Sequence, residues 1–313
     1  MSISLGIDTS NYTTSASLFD SSNKTYVNSR RLLEVESGNV GLRQSEALFK
    51  HVKNLPEIIE AAFIGNTDKI SSVGVSDRPR SAKGSYMPCF LAGVSSASAV
   101  SSALKIPIFK FSHQSGHIAA ALLSSGHEEL LNKKFISFHV SGGTTEALLV
   151  KRNNDTFFDA EIVAKSLDLK MGQAVDRIGN MLGLTFPAGK YLDELSQKGS
   201  LPIKPLVCVK DSDCCISGLQ NKAEELIKKK VPSEDVARFT IQYLCDTLDK
   251  MTASLKSKYG DLPFVFAGGV MANTIIRKHL TEKYGAYFAS TELSGDNAVG
   301  IAWMADIKYN ETR

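Results

Sequence analysis

Apolar and polar positions alternate from the start of the chain: Ile3, Leu5 and Ile7 share one side of an extended segment that ends at Asp8. A polar turn, Asp8-Thr9-Ser10-Asn11-Tyr12-Thr13-Thr14, leads into a second strand, Ser15 to Phe19, and the pair reads as a hairpin. A third strand spans Thr25 to Leu33. Ala47, Leu48, Val52, Leu55, Ile58, Ile59 and Phe63 recur at helical spacing, which predicts a helix from Gln44 to Phe63 that Pro56 kinks or splits. Ile70 to Val75 predicts a strand and Leu91 to Leu104 a helix of small residues. Ile106 to Phe111 predicts a short buried strand that leads into a helix carrying His113 and His117.

The pattern then restarts. Phe135 to Val140 reads as a strand, Ser141-Gly142-Gly143-Thr144-Thr145 as a glycine turn and Glu146 to Val150 as a returning strand. The same succession of strand, Gly/Ser/Thr turn and strand occurs twice, which predicts two lobes with a cleft between them. Ser166 to Leu184 reads as helical and carries Asp168, Gly172 and Asp176; Phe186-Pro187-Ala188-Gly189 breaks it, and another helix begins at Tyr191. Asp211 to Gln220 reads as a loop. Ser233-Glu234-Asp235 caps an amphipathic helix that runs to about Leu255. Pro263 to Ala267 is a buried strand, Gly268 to Asn273 opens a helix, Tyr287 to Ser290 is a last strand, and Gly295-Asp296-Asn297-Ala298 opens the C-terminal helix. Strands and helices that alternate in this way predict an α/β fold.

Composition narrows the class. With 313 residues, 43% of them hydrophobic, the chain can fill one large core or two medium ones. A net charge of +3 is mildly basic and does not mark a nucleic-acid partner by itself. No uninterrupted apolar run approaches the roughly 20 residues of a membrane span, so none is expected. Residues 1–5 carry no basic-then-apolar targeting signal. Five cysteines without CxxC spacing read as reduced thiols of a cytoplasmic protein.

Three features carry chemistry. His113 and His117 stand four positions apart, on one helix face, where two imidazoles can grip one divalent metal. Such a pair needs a third ligand, and Asp296 is the best acid available, although an Asp before a helix is by default an N-cap. The two polar turns can hold phosphate through backbone N–H groups, and Gly142-Gly143 let a ligand approach closely; a tight hairpin turn also accounts for those glycines. A strand, Gly268-Gly269 and a helix N-terminus form a pocket for the adenosine or phosphate end of a nucleotide. Arg78, Arg80 and Lys83 share a loop that either faces an anion or is simply solvated.

Together these motifs resemble the tRNA threonylcarbamoyladenosine transferase family, formerly described as O-sialoglycoprotein endopeptidases. The resemblance covers Gly6 to about Ala305 and rests on His113-x-x-x-His117, Val140 to Thr145, Asp168 to Gly189, Ser217-Gly218-Leu219, Ala267 to Asn273 and Asp296-Asn297-Ala298. It implies the α/β fold of actin, sugar kinases and heat-shock ATPases, two similar lobes around a nucleotide cleft. The lobes are expected at residues 1–110 and 111–295, with 296–313 as a C-terminal helix that packs back on the first lobe. It implies that His113, His117 and Asp296 ligate one iron or zinc ion. Val140, Ser141, Gly142 and Gly143 would form the phosphate turn, and Asp176, Gly189, Asp193 and Asn273 would meet the adenosine end. No catalytic acid or base is singled out.

The implied reaction passes a threonylcarbamoyl group from threonylcarbamoyl-AMP to N6 of adenosine 37 in tRNA. The implied partners are an adenylate or ATP-like nucleotide, tRNA, and accessory subunits or a paralogue. The chain departs from the family pattern at Thr13, where an acid is usual, and at Thr144, where His is usual. It departs again at Asp77 to Gly84, in place of a Gly-Pro-Gly loop, and at Lys170 and Met171, where small residues are usual. The alternatives are therefore a carbamoyl-type transferase with another acceptor and an inactive nucleotide-binding scaffold. A peptidase is disfavoured because Gln114-Ser115-Gly116 supplies no general base between the histidines, and a sugar or acetate kinase needs no paired-His site.

Overall fold

In the computed structural model, which describes residues 2–10, 12–34, 42–66, 69–200 and 203–313, the chain divides into two compact units. The first comprises Met1–Glu128, Arg152–Asp159 and Gly295–Arg313; the second comprises Glu129–Lys151 and Ala160–Ser294. Asn11, expected in the first turn, lies outside the described residues.

The first unit holds β1 (Ile3–Ser10), β2 (Thr13–Asp20), β3 (Thr25–Leu32), α1 (Gln44–Ala62), β4 (Ser72–Arg78), α2 (Phe90–Leu104), β5 (Ile108–Ser112) and α3 (His113–Ser125), together with the C-terminal helix (Val299–Glu311). Its sheet has the order β3-β2-β1-β4-β5; β1 and β3 run antiparallel to β2, and β4 runs parallel to β1 and β5. Helix α1 continues through Pro56 instead of breaking there. Val52, four residues earlier, is 55% exposed, so water can serve the carbonyl that Pro56 leaves without a donor.

Alternation along the strands decides what the two faces of this sheet can hold. Leu5, Ile7, Val73 and Val75 are fully buried against Leu55, Ala92 and Ala97. Each such side chain contributes about 1.5–3 kcal/mol. Gly6 and Gly74, paired in register, face the opposite way, onto the C-terminal helix. A β-carbon on Gly6 would lie 2.4 Å from the Ala298 carbonyl oxygen, and one on Gly74 would lie 2.6 Å from that of Ile301. The helix therefore rests on bare backbone. Asp8 and Ser76, two residues further along each strand, share that face. The C-terminal helix also meets α3 closely, which keeps α3 in the first unit although a boundary at residue 110 would assign it to the second lobe.

The second unit holds β6 (Phe135–Val140), β7 (Thr145–Asn153), β8 (Phe157–Lys165), α4 (Met171–Met181), α5 (Gly189–Ser196), β9 (Cys208–Lys210), β10 (Asp213–Cys215), α6 (Ser217–Lys228), α7 (Ser233–Tyr259), β11 (Phe264–Ala267), α8 (Thr274–Tyr284) and β12 (Tyr287–Phe288), the tip of the β7–β8 hairpin belonging to the first unit. Its main sheet has the order β8-β7-β6-β11-β12, the same pattern as β3-β2-β1-β4-β5, so the repeated strand–turn–strand motif is a repeat of architecture. Phe138, Phe266 and the α7 residues Phe239, Leu244, Leu248 and Met251 fill its core.

Local chemistry corrects three expectations. The helix expected over Ser166 to Leu184 begins only at Met171, because Asp168 turns its carboxylate onto the N–H of Leu169 and holds the preceding backbone in a loop. The expected loop Asp211 to Gln220 is the tight β9–β10 hairpin followed by the first residues of α6; Asp211 and Ser212 take left-handed φ values of 51° and 76°, which a two-residue hairpin turn requires. Gly268 does not open a long helix. One short turn, Gly269–Ala272, intervenes before α8, with Asn273 as the cap between them.

Candidate functional site

Ser112 ends β5 and caps α3 by accepting the N–H of Ser115 at 3.1 Å, so His113 is the first residue of the helix and His117 stands one turn along. Asp296 approaches from the segment before the C-terminal helix. It is not the N-cap of that helix; Asn297 accepts the N–H of Val299 at 3.0 Å instead. The close approach of the two helices makes the meeting possible, since a β-carbon on Gly300 would lie 2.0 Å from the Gly116 carbonyl oxygen. All of these residues belong to the first unit.

The three side chains converge. His113 Nε2 lies 3.0 Å from His117 Nε2, His117 Nε2 lies 3.1 Å from Asp296 Oδ1, and His113 Nε2 lies 3.6 Å from the same oxygen. Among the described residues they form the one group of three or more His, Cys, Asp or Glu side chains close enough to share an ion. Two donors about 2.1 Å from one ion lie about 3.0 Å apart at a right angle and about 3.4 Å apart at a tetrahedral angle, so this triangle fits one face of a coordination shell. The donor set, two imidazoles and a carboxylate, suits zinc or iron. With His113 Nδ1 turned to a carboxylate, its Nε2 faces that of His117 directly, an arrangement that calls for a proton or a cation between the two.

That carboxylate is Asp8, which the sequence reading placed at the end of a strand and gave no role. His113 Nδ1 lies 3.0 Å from Asp8 Oδ1 and 3.1 Å from Oδ2, and the Asp8 side chain is fully buried. Ser76 donates its hydroxyl to Oδ1 of the same group. A charged residue closing an apolar strand was the available signal. Thr13 donates to the other oxygen of Asp296, Oδ2, at 3.2 Å, so the position that departs from the family pattern touches the site.

The charges are coupled. Burial opposes protonation of His113, but Asp8 and Asp296 outweigh it and raise its pKa to about 10. Burial likewise opposes ionisation of Asp296, yet the hydrogen bonds from His113 and His117 hold it well below the usual carboxylate range. Asp8 is lowered too, its burial outweighed by the charge of His113 and by hydrogen bonds from His113 and Ser76.

The other expected site residues lie in the second unit. Val140 ends β6, and the turn behind it closes through Ser141 N–H to the Thr144 carbonyl at 2.7 Å. The start of α4 abuts this turn, since a β-carbon on Gly172 would lie 2.5 Å from the Gly142 nitrogen. β-Carbons on Gly142 and Gly143 would meet nothing within 4 Å, so the outer side of the turn is open. Asp193 accepts from the Asn273 amide at 2.8 Å, and Asn273 Oδ1 caps α8 through Ile276 N–H at 3.1 Å. Asp176 accepts the Ala188 N–H at 2.9 Å and so fixes the turn before Gly189. The structure thus brings Asp193 and Asn273 together, and separately brings Asp176 to the turn before Gly189.

Comparison with known proteins adds the family. The family model TsaD, tRNA N6-adenosine threonylcarbamoyltransferase, matches residues 31–303, a span that includes His113, His117 and Asp296 and starts after the β1–β2 hairpin. The tRNA N6-adenosine threonylcarbamoyltransferase of Thermotoga neapolitana is 29% identical over 311 residues, which cover 95% of this chain and 91% of that relative. Among solved structures, T. kodakarensis HypF superposes with a TM-score of 0.61 at 16% identity over 99% of this chain and 48% of its own. A ROK family glucokinase from Streptomyces griseus superposes with a TM-score of 0.54 at 13% identity over 97% and 99%. At these identities the likeness is one of fold, and the fold is the actin-like α/β fold of the sugar kinases. The chain belongs to the tRNA N6-adenosine threonylcarbamoyltransferase family.

Proposed function

We propose that this protein transfers a threonylcarbamoyl group from threonylcarbamoyl-AMP to N6 of adenosine 37 in tRNA, with one divalent ion, iron or zinc, held by His113, His117 and Asp296. The observation that carries the reading is the triangle of 3.0, 3.1 and 3.6 Å among three donor atoms, in a chain that the family model matches over residues 31–303. When bound, the ion supplies Lewis-acid polarisation of a substrate oxygen.

The rest falls to the chain's own groups. The open turn at Gly142 and Gly143 offers its glycine N–H groups to the adenylate phosphate, the Ser141 N–H being given to Thr144, and Asp193, oriented by Asn273, meets the adenosine end together with Asp176 and Gly189. The N6 amine attacks the carbamoyl carbon and gives up a proton; the carbon–oxygen bond to phosphate breaks, and AMP departs with the electron pair. Mildly basic surface serves tRNA through phosphate contacts, with the target base read from the anticodon loop. The cytoplasm is the expected place of action, in keeping with the absence of any helix long and apolar enough to cross a membrane among the described residues.

Incubation of the purified protein with threonylcarbamoyl-AMP and tRNA, followed by mass spectrometry of the nucleosides, tests this reading. Modified adenosine that disappears with His113→Ala supports it. A second reading, transfer to another acceptor, is favoured by the Thr13 hydroxyl at Asp296, where the family pattern carries an acid. Metal and adenylate binding without any tRNA product would select it.

A further inference from the structure

We propose that Asp8 is a positioning residue of the metal centre, which selects the ring tautomer and orientation of His113; this rests on the reading of His113, His117 and Asp296 as metal ligands. A histidine binds metal through one nitrogen, and the hydrogen bond made by the other decides which nitrogen is available. Here Nδ1 lies almost equally far from both Asp8 oxygens, 3.0 and 3.1 Å, so its N–H points at the middle of the carboxylate. In the neutral ring that a metal requires, Nε2 is then the nitrogen left with the lone pair, and it faces His117 and Asp296. A half-turn of the imidazole would put a carbon where each nitrogen now stands, setting one ring C–H against Asp8 and the other toward His117 and Asp296.

The support behind Asp8 is equally specific. Its side chain has no exposed surface, and Oδ1 also accepts the Ser76 hydroxyl. The β1–β4 register pairs Gly6 with Gly74, which puts Asp8 and Ser76 side by side on the face that α3 and the C-terminal helix cover. Asp8 thus reaches the ion through His113, and the strand pairing, a rigid part of the fold, sets the ring.

Zinc affinity of the full-length protein, measured by competition with a chromogenic chelator, tests the proposal, together with the visible spectrum of the cobalt-loaded form. Asp8→Asn keeps an acceptor but removes the charge, and Ser76→Ala leaves Asp8 in place with one tie fewer. Asp8→Asn is expected to weaken zinc binding about 10- to 100-fold, the range seen when outer partners of ligating histidines are removed. It should also change the cobalt spectrum, and Ser76→Ala should move both quantities less in the same direction. In a His113→Ala background, Asp8→Asn should add nothing, because its route to the ion is gone.

Wild-type zinc affinity and an unchanged cobalt spectrum in Asp8→Asn would overturn the proposal. So would an equal loss with and without His113, which would make Asp8 a general support of the fold. Failure of the metal reading itself shows differently: His113→Ala would then bind zinc as the wild type does.

Discussion

His113 Nε2 and His117 Nε2 lie 3.0 Å apart, and Asp296 Oδ1 completes the triangle. Each contributes one donor to the proposed shell, and two protein ligands hold a transition metal far less firmly than three. His113→Ala and Asp296→Ala are therefore expected to leave the purified protein with a small fraction of the wild-type metal, by elemental analysis. Both side chains are partly exposed, at 21% and 31%, so the variants should remain folded by circular dichroism. Full metal content in either folded variant would remove that residue from the shell.

The raised pKa of His113 gives metal binding a pH dependence. In the metal-free protein the group stays protonated until about pH 10, whereas a ligating Nε2 must be deprotonated. Each ion bound near neutral pH should displace about one proton from His113, and apparent affinity should rise with pH over that range. Folding stability without metal has the opposite sign. A raised folded pKa contributes stability that is complete below the unfolded value of about 6.5 and lost as pH rises through the folded value. Calorimetry in buffers of different ionisation enthalpy counts the released protons; a count of zero at neutral pH would show His113 already neutral.

Gly300 sets how close the C-terminal helix comes to α3. A β-carbon at this position would lie 2.0 Å from the Gly116 carbonyl oxygen and 2.7 Å from the Ala120 nitrogen, backbone atoms that cannot swing aside. Gly300→Ala should cost about 1–3 kcal/mol, as overpacking usually does, and should lower metal affinity because Asp296 precedes the displaced helix. Thermal melting and zinc competition would show both effects. A variant with native melting would mean that the helices separate freely.

Much of this could be read from the sequence, and the remainder had local causes. The strand–turn–strand repeat and the His113–His117 spacing are short-range patterns, and both units carry the sheet order that the repeat implies. The continuity of α1 through Pro56 depended on solvent reaching one carbonyl, and the start of α4 depended on where the Asp168 side chain turned. Neither is a property of hydrophobic period. The role of Asp8 needed the β1–β4 register, which places it beside Ser76 and under His113 although 68 residues of sequence separate Asp8 from Ser76.

Asp168 ties the loop before α4 to the start of α6. Its carboxylate accepts the N–H groups of Ile216 at 2.7 Å and Ser217 at 3.1 Å, and the Ser217 hydroxyl at 2.6 Å. Burial raises its pKa, but these bonds outweigh burial and leave it below the ordinary value. A depressed carboxylate contributes stability that is present above its unfolded pKa and lost as pH falls through the folded one. Asp168→Ala should cost about 0.5–2 kcal/mol at neutral pH, the range of a lost helix cap. The difference from wild type should shrink as the medium becomes acidic. A difference that is constant down to strong acid would place the stabilisation elsewhere.

Asn273 performs two tasks that substitution can separate. Its Oδ1 caps α8 through Ile276 N–H, and its amide nitrogen donates to Asp193 Oδ1 at 2.8 Å. Asn273→Ala removes both, so a loss of nucleotide binding in that variant would say nothing about which task matters. Serine is an equally good cap but too short to reach Asp193 with an amide. Asn273→Ser should therefore melt within about 0.5 kcal/mol of wild type. If Asp193 meets the adenosine end and needs the amide to hold it, this variant should bind AMP severalfold more weakly by calorimetry. Asp193→Ala should then bind AMP no better than Asn273→Ser, and the double variant no worse than Asp193→Ala, because the two residues act as one unit. Native AMP affinity in all three would remove Asn273 and Asp193 from the adenylate site and leave the turn at Ser141 to Gly143 to carry the binding.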